Sequence, residues 1–109
     1  MTPSRAALLL STQRALLGAV GPSWRAVWVG LSDNVFHFHA VIDEQANEED
    51  REASRTATSE LCADFPQIGS VWALDEEPWI ARQSEPVPYA EKLELAFLRR
   101  GETIGRLSS

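Results

Sequence analysis

Two histidines, His37 and His39, are separated only by Phe38 within an apolar run. Side chains alternate along a strand, so both imidazoles would project from the same face. Such a pair suits transition-metal binding or acid–base catalysis. The acids expected nearest to them are Asp43 and Glu44 at the end of the strand, and no third ligand is identifiable. A metal-dependent enzyme is therefore one interpretation, and the favoured alternative is two polar residues on the solvent side of an antiparallel sheet.

Motifs for other kinds of catalysis are missing from the sequence. It contains no Gly-x-Ser-x-Gly, no His-Glu-x-x-His and no glycine-rich phosphate loop. A single cysteine, Cys62, excludes an internal disulfide and a metal-binding cysteine pair. An enzyme therefore stays an open alternative without support in the sequence, and we predict no catalytic residue, no metal and no cofactor.

Acidic residues are unevenly distributed along the 109-residue chain. The net charge is −6, and residues 43–98 carry 14 acids and four bases, a net charge of −10. A pI near 4.8 argues against a nucleic-acid-binding surface and against adhesion to anionic lipid, because both depend on clustered Lys and Arg. We predict one cytoplasmic domain without a membrane span, of undetermined oligomeric state.

Two acidic segments could form a binding surface for a protein. We call the first the acidic ridge, formed by Asp43, Glu44, Glu48, Glu49 and Glu52, and the second the acidic turn, formed by Asp75, Glu76 and Glu77. One interpretation is that these acids stabilise a helix N-terminus and keep the protein soluble. The other is a negative surface that attracts a basic partner and accelerates association.

Tryptophans form a second candidate surface. The expected alternation places five side chains on the sheet face away from the helices: Trp24, Trp28, His37, His39 and Trp72. If open, this face would be an apolar interaction patch of the kind found at protein interfaces. Alternatively, the proline-rich segment that carries Trp79 and Tyr89 folds over it. A register shift of one residue would move the tryptophans into the core.

The segments that position these residues follow from local signals. A first helix is predicted over 3–20, capped by Thr2 and stopped by Gly21-Pro22. Strands are expected over 24–31 and 35–42, joined by a turn at 32–34. A second helix is expected from Glu48 to Phe65, with Asn47 as its N-cap and Pro66 ending it.

The C-terminal part is predicted as a strand over 71–74, a proline-rich loop over 75–90, a strand over 92–98 and a mobile tail over 103–109. The order α-β-β-α-β-β predicts a single α+β domain over 1–109, a two-layer sandwich. Two helices would cover one face of a four-stranded, mostly antiparallel sheet. The strand order stays open.

Four short runs resemble a family of small bacterial immunity proteins associated with contact-dependent growth inhibition and related polymorphic toxin systems. They are the stretch from Ala15 through Pro22 to Val29, the helix start at 48–52, the helix exit at 63–66, and the end at 97–102. The resemblance implies a cytoplasmic antidote that binds the C-terminal domain of a toxin without catalysing a reaction. No binding residue transfers with it, because immunity surfaces diverge with their toxins.

Toxins of such systems are often nucleases with basic clefts, which suits an acidic inhibitor. We therefore predict an immunity protein that occludes such a cleft, with these candidate contacts: Asp43, Glu44, Glu48, Glu49, Glu52, Asp75, Glu76, Glu77 and Trp79. The alternative is a non-catalytic adaptor or self-associating module that uses the tryptophan face.

Overall fold

The computed structural model describes residues 3–105 and shows an α+β fold, as predicted. Its two helices are α1 (Arg5–Leu16) and α2 (Glu48–Asp64). Its five strands are β1 (Trp24–Ser32), β2 (Val35–Ile42), β3 (Ala73–Asp75), β4 (Trp79–Ile80) and β5 (Glu94–Leu98).

The sheet is mixed and has five strands, so the predicted four-stranded, mostly antiparallel sheet is wrong in strand number and pairing. Its order is β3-β2-β1-β5, and β4 also pairs with β2. The β1–β2 hairpin and the β1–β5 pair are antiparallel, whereas β3 and β4 run parallel to β2. The parallel pairing arises because α2 is a crossover that returns the chain to the beginning of β2.

Both short parallel strands lie along one edge of β2. β3 pairs with Val35–His37, and β4 pairs with Val41 and Ile42. The segment predicted as a loop over 75–90 therefore contributes β4, and the third strand begins two residues and ends one residue later than expected. Propensity did not indicate β4, because a two-residue strand is defined by its partner rather than by its own sequence.

Helix α1 is shorter than predicted at both ends. Its N-cap is Ser4, whose side chain accepts a hydrogen bond from the Ala7 N–H at 3.0 Å. The predicted cap, Thr2, lies outside the described residues. Leu17 leaves the helical conformation, and Gly18 follows with a φ of 80°, a left-handed conformation that favours glycine. This glycine ends the helix before Gly21.

Helix α2 matches its prediction within one residue. Asn47 and Asp50 form a capping box: the Asn47 side chain accepts from the Asp50 N–H at 3.0 Å, and Asp50 accepts from the Asn47 N–H at 3.3 Å. The Asp50 carboxylate also accepts from the Ser23 hydroxyl at 2.6 Å. The start of α2 is thereby tied to the residues that precede β1.

Apolar side chains pack on both faces of the sheet. The face covered by the helices contains Trp24, Val27, Phe38, Leu61 and Trp72 within a larger cluster. The predicted orientation of Trp24 and Trp72 is therefore wrong. For Trp24 the cause is a bulge between Trp24 and Ala26, which shifts the alternation by one residue.

The opposite face is covered by the chain that follows β4. Trp28 packs there with Val41, Ala81, Val87 and Ala90. This covering segment, residues 81–90, makes the sheet the middle of three layers, where two were predicted. Within the predicted tail over 103–109, Ile104 bridges to Val87, and residues 106–109 lie outside the described part of the chain.

A buried arginine holds the covering segment in place. Arg25 is only 2% exposed and forms a bidentate ion pair with Glu102, at 2.6 and 3.0 Å. Its remaining N–H groups donate to the carbonyls of Ala81, Arg82 and Glu85 at 2.6–3.3 Å. Because every guanidinium nitrogen is thus satisfied, the desolvation cost of the buried charge is offset.

Candidate functional site

Most of the acidic ridge is exposed, as a binding surface requires. Glu44, Glu48, Glu49 and Glu52 are exposed, and the last three lie in the first turns of α2, where Glu52 follows Glu48 by four residues and Glu49 by three. Glu52 also pairs with Arg55 at 2.8 Å, but both side chains remain more than half exposed. These four carboxylates are therefore accessible to a partner.

Asp43 differs from the rest of the acidic ridge because its side chain is 2% exposed. One carboxylate oxygen accepts from the Gln45 N–H at 2.8 Å, and the other accepts from the Gln83 side chain at 3.0 Å. The Arg99 guanidinium lies 3.8 Å away. Asp43 is thus an internal hydrogen-bond acceptor that links β2 to the covering segment, not an accessible contact residue.

The acidic turn lies against α2, the helix that carries Glu48, Glu49 and Glu52 of the acidic ridge. Glu76 is partly buried, and its carboxylate accepts a hydrogen bond from the Thr58 hydroxyl. Glu77 is exposed and lines a 290 Å³ surface cavity together with Arg51 and Arg55. These arginines break the continuity of the negative surface between α2 and the acidic turn.

Asp75 belongs to a different group, because it faces the two histidines. Its Cα is paired with that of His37 across the parallel β2–β3 register. Its Oδ2 lies 3.4 Å from His37 Nδ1 and 3.5 Å from His39 Nε2. The expectation that Asp43 and Glu44 are the nearest acids is therefore wrong, since the crossover brings Asp75 beside the histidines from 36 residues away in the chain.

His39 is held from two sides. Its Nδ1 lies 2.6 Å from the carbonyl oxygen of Glu77, and a carbonyl can only accept, so Nδ1 carries a proton. The Trp79 ring stacks on the imidazole with centroids 4.1 Å apart and planes 10° from parallel. Trp79 is partly buried by this contact. Trp79 therefore has a structural role, which is to hold the His39 ring, besides its predicted role as a contact residue.

A surface cavity of about 440 Å³ opens beside this group. The cavity is lined by His37, His39, Asp75 and Trp79 and by residues 89–93. His37 is 24% exposed and Asp75 is 45% exposed, whereas His39 is 3% exposed. The three polar side chains therefore converge at the rim of a solvent-accessible depression.

The tryptophan face is covered rather than open. Trp28 is 4% exposed, and Tyr89 of the covering segment packs edge-on against it with centroids 5.8 Å apart. Trp24 and Trp72 are 0% and 7% exposed on the other face. Of the five side chains proposed for this surface, only His37 has appreciable exposure.

One strongly polar cluster was not indicated by the sequence. Glu102 accepts hydrogen bonds from Arg25 and also from Arg99, at 2.5 and 3.0 Å. The hydrogen bonds between Arg25 and Glu102 lower the pKa of Glu102 and raise the pKa of Arg25. Burial opposes both shifts. Arg25 and Glu102 hold the covering segment in place. They are far apart in sequence, so no local pattern indicated that they would pair.

Comparison with known protein families decides the classification. Residues 5–102 match the family described as MafI2 immunity protein, which confirms the resemblance to polymorphic toxin immunity proteins. The chain belongs to the MafI2 immunity protein family. That membership indicates a toxin-neutralising function for this MafI2 family protein and a toxin protein as its partner. No curated protein matches the chain. Neither helix within residues 3–105 is long and apolar enough to cross a membrane.

Proposed function

We propose that this MafI2 family protein neutralises a nuclease toxin in the cytoplasm by covering its basic substrate-binding cleft, without catalysing a reaction. The observation that carries this proposal is the family match over residues 5–102. The negative charge concentrated in residues 43–98 supports the choice of a basic partner. A nuclease fits this choice, because its active site must present a basic surface to the phosphodiester substrate.

The proposed contact surface is the accessible part of the two acidic segments: Glu44, Glu48, Glu49, Glu52 and Glu77. Three of these carboxylates project from a helix, so little backbone ordering is needed there on binding. Three other predicted contacts would support this surface without touching the toxin, because their carboxylates are engaged with other groups of the fold: Asp43, Glu76 and Asp75. Trp79 follows these acids in the chain, is partly exposed and remains a candidate contact.

Protection of cells tests the function itself. We expect a cell that expresses the toxin domain encoded beside this gene to survive only when the present chain is produced with it. Killing at the unprotected rate would contradict the function. In vitro, nucleic acid should compete with this protein for the toxin, and simultaneous binding of both would contradict occlusion of the cleft.

Charge reversal tests the proposed surface. A variant with Glu48→Lys, Glu49→Lys and Glu52→Lys should associate with the toxin domain at least about 10-fold more slowly and with a weaker salt dependence. Stopped-flow measurements at several salt concentrations give both quantities.

The matched control has the same net charge but reverses acids elsewhere, at Glu60, Glu85 and Glu91, which are also exposed. This variant should lose much less of the association rate, because local potential rather than total charge guides the final approach. Equal slowing of the two variants would reject the acidic ridge as the contact surface. Circular dichroism should confirm that both variants are folded, since Lys at the start of α2 opposes the helix dipole.

A further inference from the structure

We propose that His37, His39 and Asp75 bind a divalent transition-metal ion in tetrahedral coordination, and that Zn²⁺ is the ion they fit best. Two imidazole nitrogens and one carboxylate oxygen are ligands that Zn²⁺ accepts in proteins. The three candidate ligand atoms all lie within 4.8 Å of one another. The inference does not depend on the proposed toxin surface.

The distances are longer than those of a hydrogen-bonded ion pair and suit a shared metal ion. Asp75 Oδ2 lies 3.4 Å from His37 Nδ1 and 3.5 Å from His39 Nε2. Charge-assisted N–H···O bonds are shorter, at about 2.7–2.9 Å. Ligands placed about 2.0–2.1 Å from a tetrahedral ion are separated by roughly 3.3–3.4 Å. The observed spacing therefore matches two edges of a zinc tetrahedron.

The same distances argue against an octahedral ion. Adjacent ligands about 2.0–2.1 Å from an octahedral centre are separated by only roughly 2.8–3.0 Å. The mixture of two nitrogens with one oxygen also disfavours Mg²⁺ and Ca²⁺, which prefer oxygen ligands. Tetrahedral coordination and imidazole ligands together favour Zn²⁺, with Co²⁺ as its spectroscopic substitute.

The environment of His39 prepares this residue for metal binding. Its protonated Nδ1 donates to the Glu77 carbonyl oxygen at 2.6 Å, so in the neutral imidazole Nε2 carries the lone pair. This Nε2 is the atom that faces Asp75. Ligating histidines usually donate their second ring N–H to such an acceptor, which fixes the tautomer and the ring orientation. The stacked Trp79 ring further restricts the imidazole plane.

The fourth coordination position would face the adjacent cavity. His37 and Asp75 are partly exposed at its rim, so an ion can enter and a water molecule can complete the tetrahedron. The partly exposed His37 ring can turn to close the remaining edge between the two histidines. A bound ion would cross-link β2 to the end of β3 and thereby fix the start of the acidic turn.

Zinc binding by the full-length, tag-free protein tests the inference. After dialysis against a chelator, titration calorimetry should show one equivalent of Zn²⁺ bound with a micromolar or smaller Kd. Asp75→Asn and His37→Gln should each weaken binding at least about 100-fold, because each removes a direct ligand. Both positions are partly exposed, so these variants should fold even if substitution of the buried His39 does not.

Glu60→Gln is the control, since Glu60 is an exposed acid on α2 outside the cluster. It should bind Zn²⁺ as the wild type does. Co²⁺ bound to the wild-type protein should give the intense visible absorption of tetrahedral coordination, which Asp75→Asn should abolish. Substoichiometric Zn²⁺ binding, unchanged affinity in both variants, or the weak absorption of octahedral Co²⁺ would overturn the proposal.

Discussion

At the scale of single residues, the buried ion pair between Arg25 and Glu102 has the largest expected effect on stability. Arg25 is inaccessible, and the Glu102 side chain is 10% exposed. The pair connects the start of β1 to the segment that follows β5 and to three carbonyls of the covering segment. Removing one partner would leave the other charge buried without compensation.

We therefore expect Glu102→Gln to lower the free energy of unfolding by about 3 kcal/mol, because both Arg25 and Arg99 lose their charged acceptor. Glu94→Gln is the matched control, since Glu94 pairs with the exposed Arg5 at the surface. Its expected cost is below about 0.5 kcal/mol. Urea denaturation of the two variants measures the difference, and equal costs would contradict a structural role for the buried pair.

The lowered pKa of Glu102 predicts a pH dependence of stability. A carboxyl group whose pKa is lower in the folded state stabilises the fold above its unfolded value, taken as 4.5, and loses this contribution as the pH falls through the folded value. Unfolding free energies measured from about pH 7 down to about pH 3 should therefore fall on the acidic side. Glu102→Gln should flatten that decline, and parallel curves for wild type and variant would contradict the assignment.

At the scale of elements, Asp50 joins the start of α2 to the residues that lead into β1. Its carboxylate accepts from Ser23 and from the Asn47 N–H, and its carbonyl accepts from the Trp24 indole N–H at 3.3 Å. Removing the carboxylate should therefore weaken a helix cap and a contact between two elements at once.

We expect Asp50→Ala to cost about 1–2 kcal/mol of unfolding free energy, because it removes half of the capping box and leaves the buried Ser23 hydroxyl without its acceptor. Glu49→Ala, one residue earlier and exposed, should cost at most about 0.5 kcal/mol from the helix dipole. Thermal melts of both variants give the comparison. Similar melting temperatures would show that charge at the helix start matters and the specific bonds do not.

Elements defined by local signals could be predicted from the sequence. The cap at Asn47, the apolar strand runs and the turn residues predicted α2 and the β1–β2 hairpin nearly to their ends. The pairing of β3 and β4 with β2 could not be predicted, because it depends on where α2 returns the chain. The predicted orientation of Trp24 was wrong for a related reason: a bulge depends on the partner strand, not on the alternation of residue types.

The candidate sites follow the same division. Exposure of Glu48, Glu49 and Glu52 could be expected from their spacing on a helix. The burial of Asp43 could not be predicted, because its partner Gln83 comes from a distant segment of the chain. Asp75 lies beside the histidines only because β3 pairs in parallel register with β2, so no local pattern in the sequence indicated this residue as a third ligand.

At the scale of the whole molecule, stability is expected to be greatest in the middle of the sheet. β1 is paired on both sides and buried on both faces, whereas β3 and β4 have only two or three residues. Amide exchange at Val27 and Val29 should therefore be at least about 100-fold slower than at Ala73 and Ile80. Hydrogen exchange followed by NMR tests this order. Equal protection of the short strands would show that the sheet opens as one cooperative unit.

The two short strands have a further consequence, for the solubility of the protein. β2 is a run of eight mostly apolar residues, and within residues 3–105 its outer edge is covered by β3, the segment 76–78 and β4. An uncovered apolar edge offers its backbone to strands of other molecules and promotes aggregation. A protease cut within residues 76–78 would weaken both coverings, because each short strand would lose one of its chain connections. This short surface segment therefore protects the protein from polymerising through its own sheet.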